Sequence, residues 1–159
     1  MSIFSLFQWL DRTPLGEALR SNRVLFPLFS AIHLLGLAML VGTILVVDLG
    51  LVGAGMRRQP ISRVAGQLEP LTWTGLAVML ITGPMLLTGE AIKLYCNWAF
   101  WIKLVFVVLA IAFYFTVHRK ATADGSRITR AKAKSVGIVS LTLWICAGLA
   151  AKSINAFTP

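Results

Sequence analysis

The chain has 159 residues, enough for one domain, and 57% of them are hydrophobic against 13% charged. Soluble domains run at roughly 45–50% apolar, so too little polar surface exists here to cover a water-soluble globule, and a mean hydropathy of +0.80 agrees. The net charge of +9 does not read as nucleic-acid binding, because the basic residues sit between apolar runs, where anionic lipid headgroups are the matching partner.

Residues 1–22 read as an interfacial amphipathic segment. No basic residue precedes Arg12, and Ser5 and Gln8 interrupt the apolar stretch, which is unlike a secretory signal. Ile3, Leu6, Phe7 and Leu10 share one helical face, Ser5, Gln8 and Arg12 fall elsewhere, and Trp9 suits headgroup depth. Thr13-Pro14 predicts a helix N-cap followed by proline at the first helical position.

Residues 23–159 read as a membrane domain with spans at about 24–53, 71–95, 99–118 and 135–157. Each is near the roughly 20 apolar residues needed to cross hydrocarbon. Lipid tolerates no unpaired backbone groups, so these spans are helices, and their short connectors favour antiparallel neighbours. The predicted fold class is therefore all-α: an integral membrane four-helix up-down bundle with an N-terminal interfacial helix. Trp98 and Trp101 mark an interface at the start of span three, Lys152 can snorkel from span four, and Asp124-Gly125 is the one obvious turn.

The loops after spans one and three carry Arg57, Arg58, Arg63, Arg119, Lys120, Arg127, Arg130, Lys132 and Lys134, nine basic residues against six on the other side. The positive-inside rule then places both termini in the periplasm of a bacterial inner membrane. Cys96 and Cys146 differ in depth by about ten ångströms, beyond the roughly 7 Å Cα limit for a disulfide, so they do not pair.

A charge at mid-membrane costs ~2.5–3.5 kcal/mol, so each polar residue in a span needs a partner or a purpose. Counting depth at ~1.5 Å per residue gives two groups. His33, Met85, Glu90 and Lys103, with Cys96 and Asn97, belong to the outer half; Asp48, Tyr114, His118 and Arg119 belong to the inner half. His33, Leu40 and Val47 share a face of span one, with Asp48 more loosely on it; Lys103, Val107, Ala110 and Tyr114 share a face of span three, with His118 at its edge. Glu90 and Lys103 are expected to pair near the interface, and Asp48 with His118, Arg57 or Arg119. Thr82-Gly83-Pro84 marks a kink or a cavity lined by freed carbonyls.

His33 is the residue best suited to chemistry. Its imidazole ligates copper, zinc or haem iron, and Met85 adds a soft thioether that suits cuprous copper or an axial haem position. The plainer reading has His33 bonding across helices and Met85 filling the core. His33 and His118 are about 15 Å or more apart along the membrane normal and cannot share one haem iron, which leaves His33 with Met85, or two half-sites, for haem b. Glu90 and Asp48 are the candidate proton carriers. No phosphate-binding loop, cysteine metal pair or nucleophile elbow occurs, so an enzyme acting alone is not expected.

Phe26-Pro27, His33-Leu34-Leu35-Gly36, Val41-Gly42-Thr43, Asp48-Leu49, Thr82-Gly83, Asn97, Phe100, Ile102-Lys103-Leu104 and His118 together resemble a family of small bacterial four-span membrane proteins without an assigned activity. The family pattern commonly has an acidic residue three before the histidine, where this chain has Ser30, so that position brings no carboxylate to His33. More distantly, the arrangement is similar to the membrane domain of the copper-resistance D family. That likeness implies copper handling with a periplasmic metal-binding partner, and reaches His33 and Met85. Three functions stand as expectations: passage of a soft metal ion, copper first, through an outer pocket; an electron-transfer subunit with haem b or quinone and a redox partner; and a structural subunit of a larger complex or oligomer.

Overall fold

The computed structural model describes residues 2–54, 60–123 and 129–156, with side chains to 154. Arg57 and Arg58 of the first basic loop, Arg127 and the Asp124-Gly125 turn of the second, and Phe157 lie outside the described residues.

The described chain is helical, with no strand. Two short helices, α1 (Ile3–Asp11) and α2 (Pro14–Ser21), precede the long α3 (Leu25–Val52) and α4 (Ile61–Gly89). A short α5 (Ala91–Tyr95) leads to α6 (Trp98–Phe113), a π-helical turn (Tyr114–His118) and α7 (Arg119–Ala123); α8 (Arg130–Ala156) closes the chain. Four helices are long and apolar enough to cross a membrane: Leu25–Val52, Ile61–Gly89, Trp98–Ala123 and Arg130–Ile154. The protein is thus a multi-pass helical bundle of the expected class. Both described termini lie at one end, here the terminal end; the C-terminal ends of α3 and α7 lie at the other, the basic end, with Arg63, Arg119 and Arg130.

The Thr13 hydroxyl accepts from the Gly16 N–H at 3.2 Å, with Pro14 in the first turn of α2, as the sequence suggests. Phe7 of α1 is buried against Tyr95, Phe100 and Trp101, with ring centroids 5.2, 6.4 and 5.7 Å away. Ile3, Leu6 and Trp9 of the same helix stay exposed. Arg20 clips the two short helices together by pairing with Asp11 at 2.9 Å.

The second span differs most from expectation. It starts ten residues before position 71, because Ile61, Ala65 and Leu68 pack on Val47, Leu51, Ala121 and Val136. Those contacts pay no regard to the polar residues between them, so the turns are amphipathic and carry no continuous apolar run. The span also ends sooner: Glu90 leaves helical geometry at φ −135°, ψ 32°, and residues 91–95 form the separate α5. Pro70 and Pro84 both lie inside α4. Span four begins at Arg130, five residues before the expected 135.

α3 is the central helix, packed on α4 along one side and on α8 along another, with α6 against α8. The α3–α4 crossing is tight where Gly75 sits: a Cβ there would stand 2.7 Å from the Leu40 amide nitrogen and 2.8 Å from the Gly36 carbonyl. At the basic end Gly137 plays the same part for α8, since a Cβ would lie 2.9 Å from the Asp48 carbonyl oxygen. Small residues at such crossings let helix backbones approach where lipid offers no hydrophobic drive. Leu40, Ile44, Leu76, Ala110 and Trp144 form one core cluster, and Val47, Leu51, Ala121 and Val136 a second nearer the basic end.

Candidate functional site

The most buried polar contact joins α3 to the π turn. His118 Nε2 lies 2.7 Å from Asp48 Oδ1, and the two side chains are 3% and 0% exposed. Of the three partners open to Asp48 from sequence, His118 is the one it meets. Arg119 turns instead to Glu69, at 2.6 Å, and Arg57 lies outside the described residues.

The π turn explains why α-helical periodicity placed His118 only at the edge of its face. A single-turn π segment shifts the phase of everything after it, and such bulges occur often at functional sites. Here it carries His118 inward and lays its ring on Tyr114, with centroids 5.3 Å apart and planes 27° from parallel. Thr122 Oγ1 donates back to the His118 carbonyl at 3.1 Å and to that of Arg119 at 3.0 Å, which satisfies carbonyls beside the irregular turn.

Two hydroxyls meet across the α3–α4 contact. Thr72 Oγ1 of α4 lies 2.8 Å from Thr43 Oγ1 on α3. At the basic end the Glu69–Arg119 pair is about half exposed, with the Arg119 guanidinium 5.9 Å from the Trp73 ring centroid. The exposed ion pair and the buried carboxylate thus belong to the same end of the bundle, with the Tyr114 ring stacked on His118 beside them.

Two atoms of the central pair stay unmatched. Asp48 Oδ2 and His118 Nδ1 are buried and find no hydrogen-bond partner among the described residues. A buried acceptor or donor left unmade costs ~1–3 kcal/mol. A pair serving only to lock helix register would gain from closing both positions.

His33 belongs to a different place. Fifteen residues of α3 separate it from Asp48, about 22 Å of helical rise. Its Nδ1 lies 2.7 Å from Thr82 Oγ1, whose own proton goes to the Val78 carbonyl at 2.6 Å. The Thr82 hydroxyl has one proton, so it must accept from Nδ1–H, and His33 keeps a lone pair on Nε2. The ring lies against Gly83, where a Cβ would stand 3.5 Å from Cε1. The charge acting on it is the ammonium of Lys103, which makes no ion pair among the described residues.

Other expected outer-half partners separate. No hydrogen bond from His33 reaches Met85 among the described residues; the Met85 carbonyl accepts from Thr88 Oγ1 at 2.7 Å. Glu90 does not pair with Lys103: its partner is Lys93, one turn along, at 3.3 Å. That i,i+3 neighbour is held close by the chain itself, whereas Lys103 stands on another helix. Asn97 caps α6 by accepting from the Ala99 N–H at 3.0 Å and donates to the Ile154 carbonyl at 3.0 Å, so it ties helix ends together. Cys96 and Cys146 are free thiols. Among the described residues no group of three or more His, Cys, Asp or Glu gathers as a metal cluster.

Glu69, Thr72 and Thr43 were not singled out as site residues from sequence. Glu69 lies in the polar turns read as loop, and threonines in a span pass for packing residues. A model described as a family of unknown function (DUF6644) matches residues 6–157. No curated protein and no solved structure matches the chain.

Proposed function

The chain belongs to this family of unknown function, and on the chemistry of its own residues we propose that it is a proton-handling membrane subunit whose working element is the Asp48–His118 pair. The carrying observation is a fully buried carboxylate and imidazole 2.7 Å apart, each with one unmatched polar atom. Intramembrane ionisable residues mark proton and ion pathways by default. A carboxylate with a neutral imidazole accepts a proton at Nδ1 and returns it, the Nε2–H···Oδ1 bond holding the ring in place throughout. The half-exposed Glu69–Arg119 pair marks the side from which protons reach it.

This reading is compatible with the expected electron-transfer subunit, in which haem b or a quinone supplies the redox chemistry. The excess of Lys and Arg at the basic end supports a bacterial inner membrane location with both termini periplasmic. Infrared difference spectra of the purified protein, recorded between two pH values, test it. Carboxyl and imidazole bands that vanish in Asp48→Asn and His118→Gln are the expected result; spectra unchanged by both variants would leave the pair a purely structural lock in a larger complex.

A second reading, passage of copper by way of His33 and Met85, as the distant likeness to the copper-resistance D membrane domain implies, has one observation in its favour. Thr82 takes Nδ1 and leaves the Nε2 lone pair for a ligand, the arrangement in which a second hydrogen bond orients a metal-binding histidine. The ammonium of Lys103 opposes a cation there. Copper measured on purified protein, compared with His33→Ala, decides: equal content in both dismisses the reading.

A further inference from the structure

A pocket of about 280 Å³ opens at the terminal end, between α2, the first turn of α3 and the end of α4. Leu19, Phe26 and Pro27 give it apolar walls, and Arg20, Arg23 and Glu90 give it charge. Phe26 and Pro27 begin the first membrane-crossing helix, and Glu90 follows the last residue of the second. The pocket therefore lies at the depth where lipid headgroups meet hydrocarbon. Trp9 and Trp98, 62% and 55% exposed, belong to the same end and suit that depth.

The charges are accessible and are not all spent. Arg20 donates to Asp11 Oδ1 at 2.9 Å, to the Asp11 carbonyl at 2.6 Å and to the Thr88 carbonyl at 3.3 Å. A guanidinium has five N–H donors, so donors remain on a group fixed between α2 and α4, and its side chain is 41% exposed. Arg23 is exposed and makes no hydrogen bond or ion pair among the described residues. Glu90 accepts from Lys93 through Oε1, at 3.3 Å, and its side chain is 37% exposed. A carboxylate has about four acceptor sites, so Glu90 can take another donor.

Both signs of charge in one pocket select against a simple ion. A lone anion held by the arginines meets Glu90, and a lone cation held by Glu90 meets the arginines. A zwitterion with a phosphate and an ammonium that carries N–H donors satisfies both, since guanidinium forks match phosphate oxygens. A trimethylammonium has no N–H to give Glu90. An apolar cavity of about 150 Å³ holds one benzene, so about 280 Å³ takes a phosphoethanolamine head, a few atoms larger, and leaves Leu19, Phe26 and Pro27 against the glycerol and upper acyl chains.

We propose that this pocket binds the headgroup of a phosphatidylethanolamine molecule of the adjoining leaflet, its phosphate on Arg23 and Arg20 and its ammonium on Glu90. The site stands apart from the Asp48–His118 pair, which lies towards the other end of α3, and neither depends on the other.

Calorimetric titration of the full chain in detergent micelles with dihexanoyl phosphatidylethanolamine tests it. The comparisons are phosphatidylcholine and phosphatidylglycerol with the same chains, and water-soluble phosphoethanolamine. For the unaltered protein the ethanolamine lipid is expected to bind at least about tenfold tighter than each of the other three. Arg23→Gln is expected to weaken that binding about tenfold, and Glu90→Gln to bring it level with phosphatidylglycerol. Both side chains reach solvent, so neither substitution disturbs the packed core. No binding, equal binding of the three lipids, or tighter binding of phosphatidylglycerol overturns the zwitterion assignment on the unaltered protein alone. Free phosphoethanolamine as tight as the lipid makes the ligand a soluble one and overturns the lipid source. Affinity unmoved by either variant overturns the pocket.

Discussion

Tyr114 lies nearly flat on His118, two rings four residues apart in sequence and 5.3 Å apart between centroids. The π turn spanning these residues sets that stacking, and the stacking helps hold His118 against Asp48. Deleting Thr116 removes one residue from the turn and restores α-helical phase to everything after it. The expected result is loss of the buried pair, at a cost of about 3–5 kcal/mol for stranding the carboxylate. Tyr114→Phe keeps the stacking and the turn, and is expected to cost no more than about 0.6 kcal/mol, the scale of a single interhelical polar contact in membranes. Denaturant unfolding in mixed micelles distinguishes the two; equal effects would show that the turn does not position His118.

The pair itself makes a sharper test. His118→Ala leaves Asp48 buried without its partner, and about 3–5 kcal/mol of stability is expected to go. Replacing both, as Asp48→Leu with His118→Phe, removes the uncompensated charge and is expected to be neutral or stabilising by about 1–4 kcal/mol, while the infrared bands disappear. Stability and proton handling then part company. A double variant as unstable as His118→Ala would mean that the pair's geometry, and no function, is what the fold retains.

Much of the fold was legible because apolar run length is a direct consequence of bilayer thickness. Four helices long and apolar enough to cross a membrane are found, as run length led one to expect, and the Thr13-Pro14 cap is where the dipeptide places it. The misses have local causes. Ile61 to Leu68 is a helix that packs by one face, and a search for uniform hydropathy passes over it. His118 reached the right neighbourhood from sequence, but a π turn leaves no signature in α-helical periodicity, so its inward aim was hidden. Glu90 was matched to Lys103 by depth alone, which ignores that Lys93 is tethered one turn away. Depth counting sorts residues along the membrane normal and says nothing about which helix they face.

Gly75 carries a packing prediction. A methyl group there meets the Leu40 amide nitrogen at 2.7 Å and the Gly36 carbonyl at 2.8 Å, both backbone atoms that cannot rotate away. Gly75→Ala is expected to push α3 and α4 apart and cost about 1–3 kcal/mol, the usual range for overpacking. Gly42→Ala is the control, because nothing lies within 4 Å of its added Cβ. Unfolding midpoints that fall equally for both would put the crossing elsewhere.

The last prediction concerns the tautomer of His33. Thr82 donates to Val78 and so must accept from His33, which fixes the proton on Nδ1 and the lone pair on Nε2. Thr82→Val removes the acceptor while keeping the shape of the side chain. Nitrogen-15 spectra of the native protein are expected to show the Nδ1–H form, and those of Thr82→Val a mixture, with a stability loss of about 0.6 kcal/mol for one interhelical bond. Lys103→Met probes the same ring from the other side. It removes the positive charge of Lys103 and, if a cation is the natural ligand of His33, raises copper retained by the purified protein. An Nε2–H signal in the native chain would reverse the donor assignment at Thr82 and, with it, the case for His33 as a ligand through Nε2.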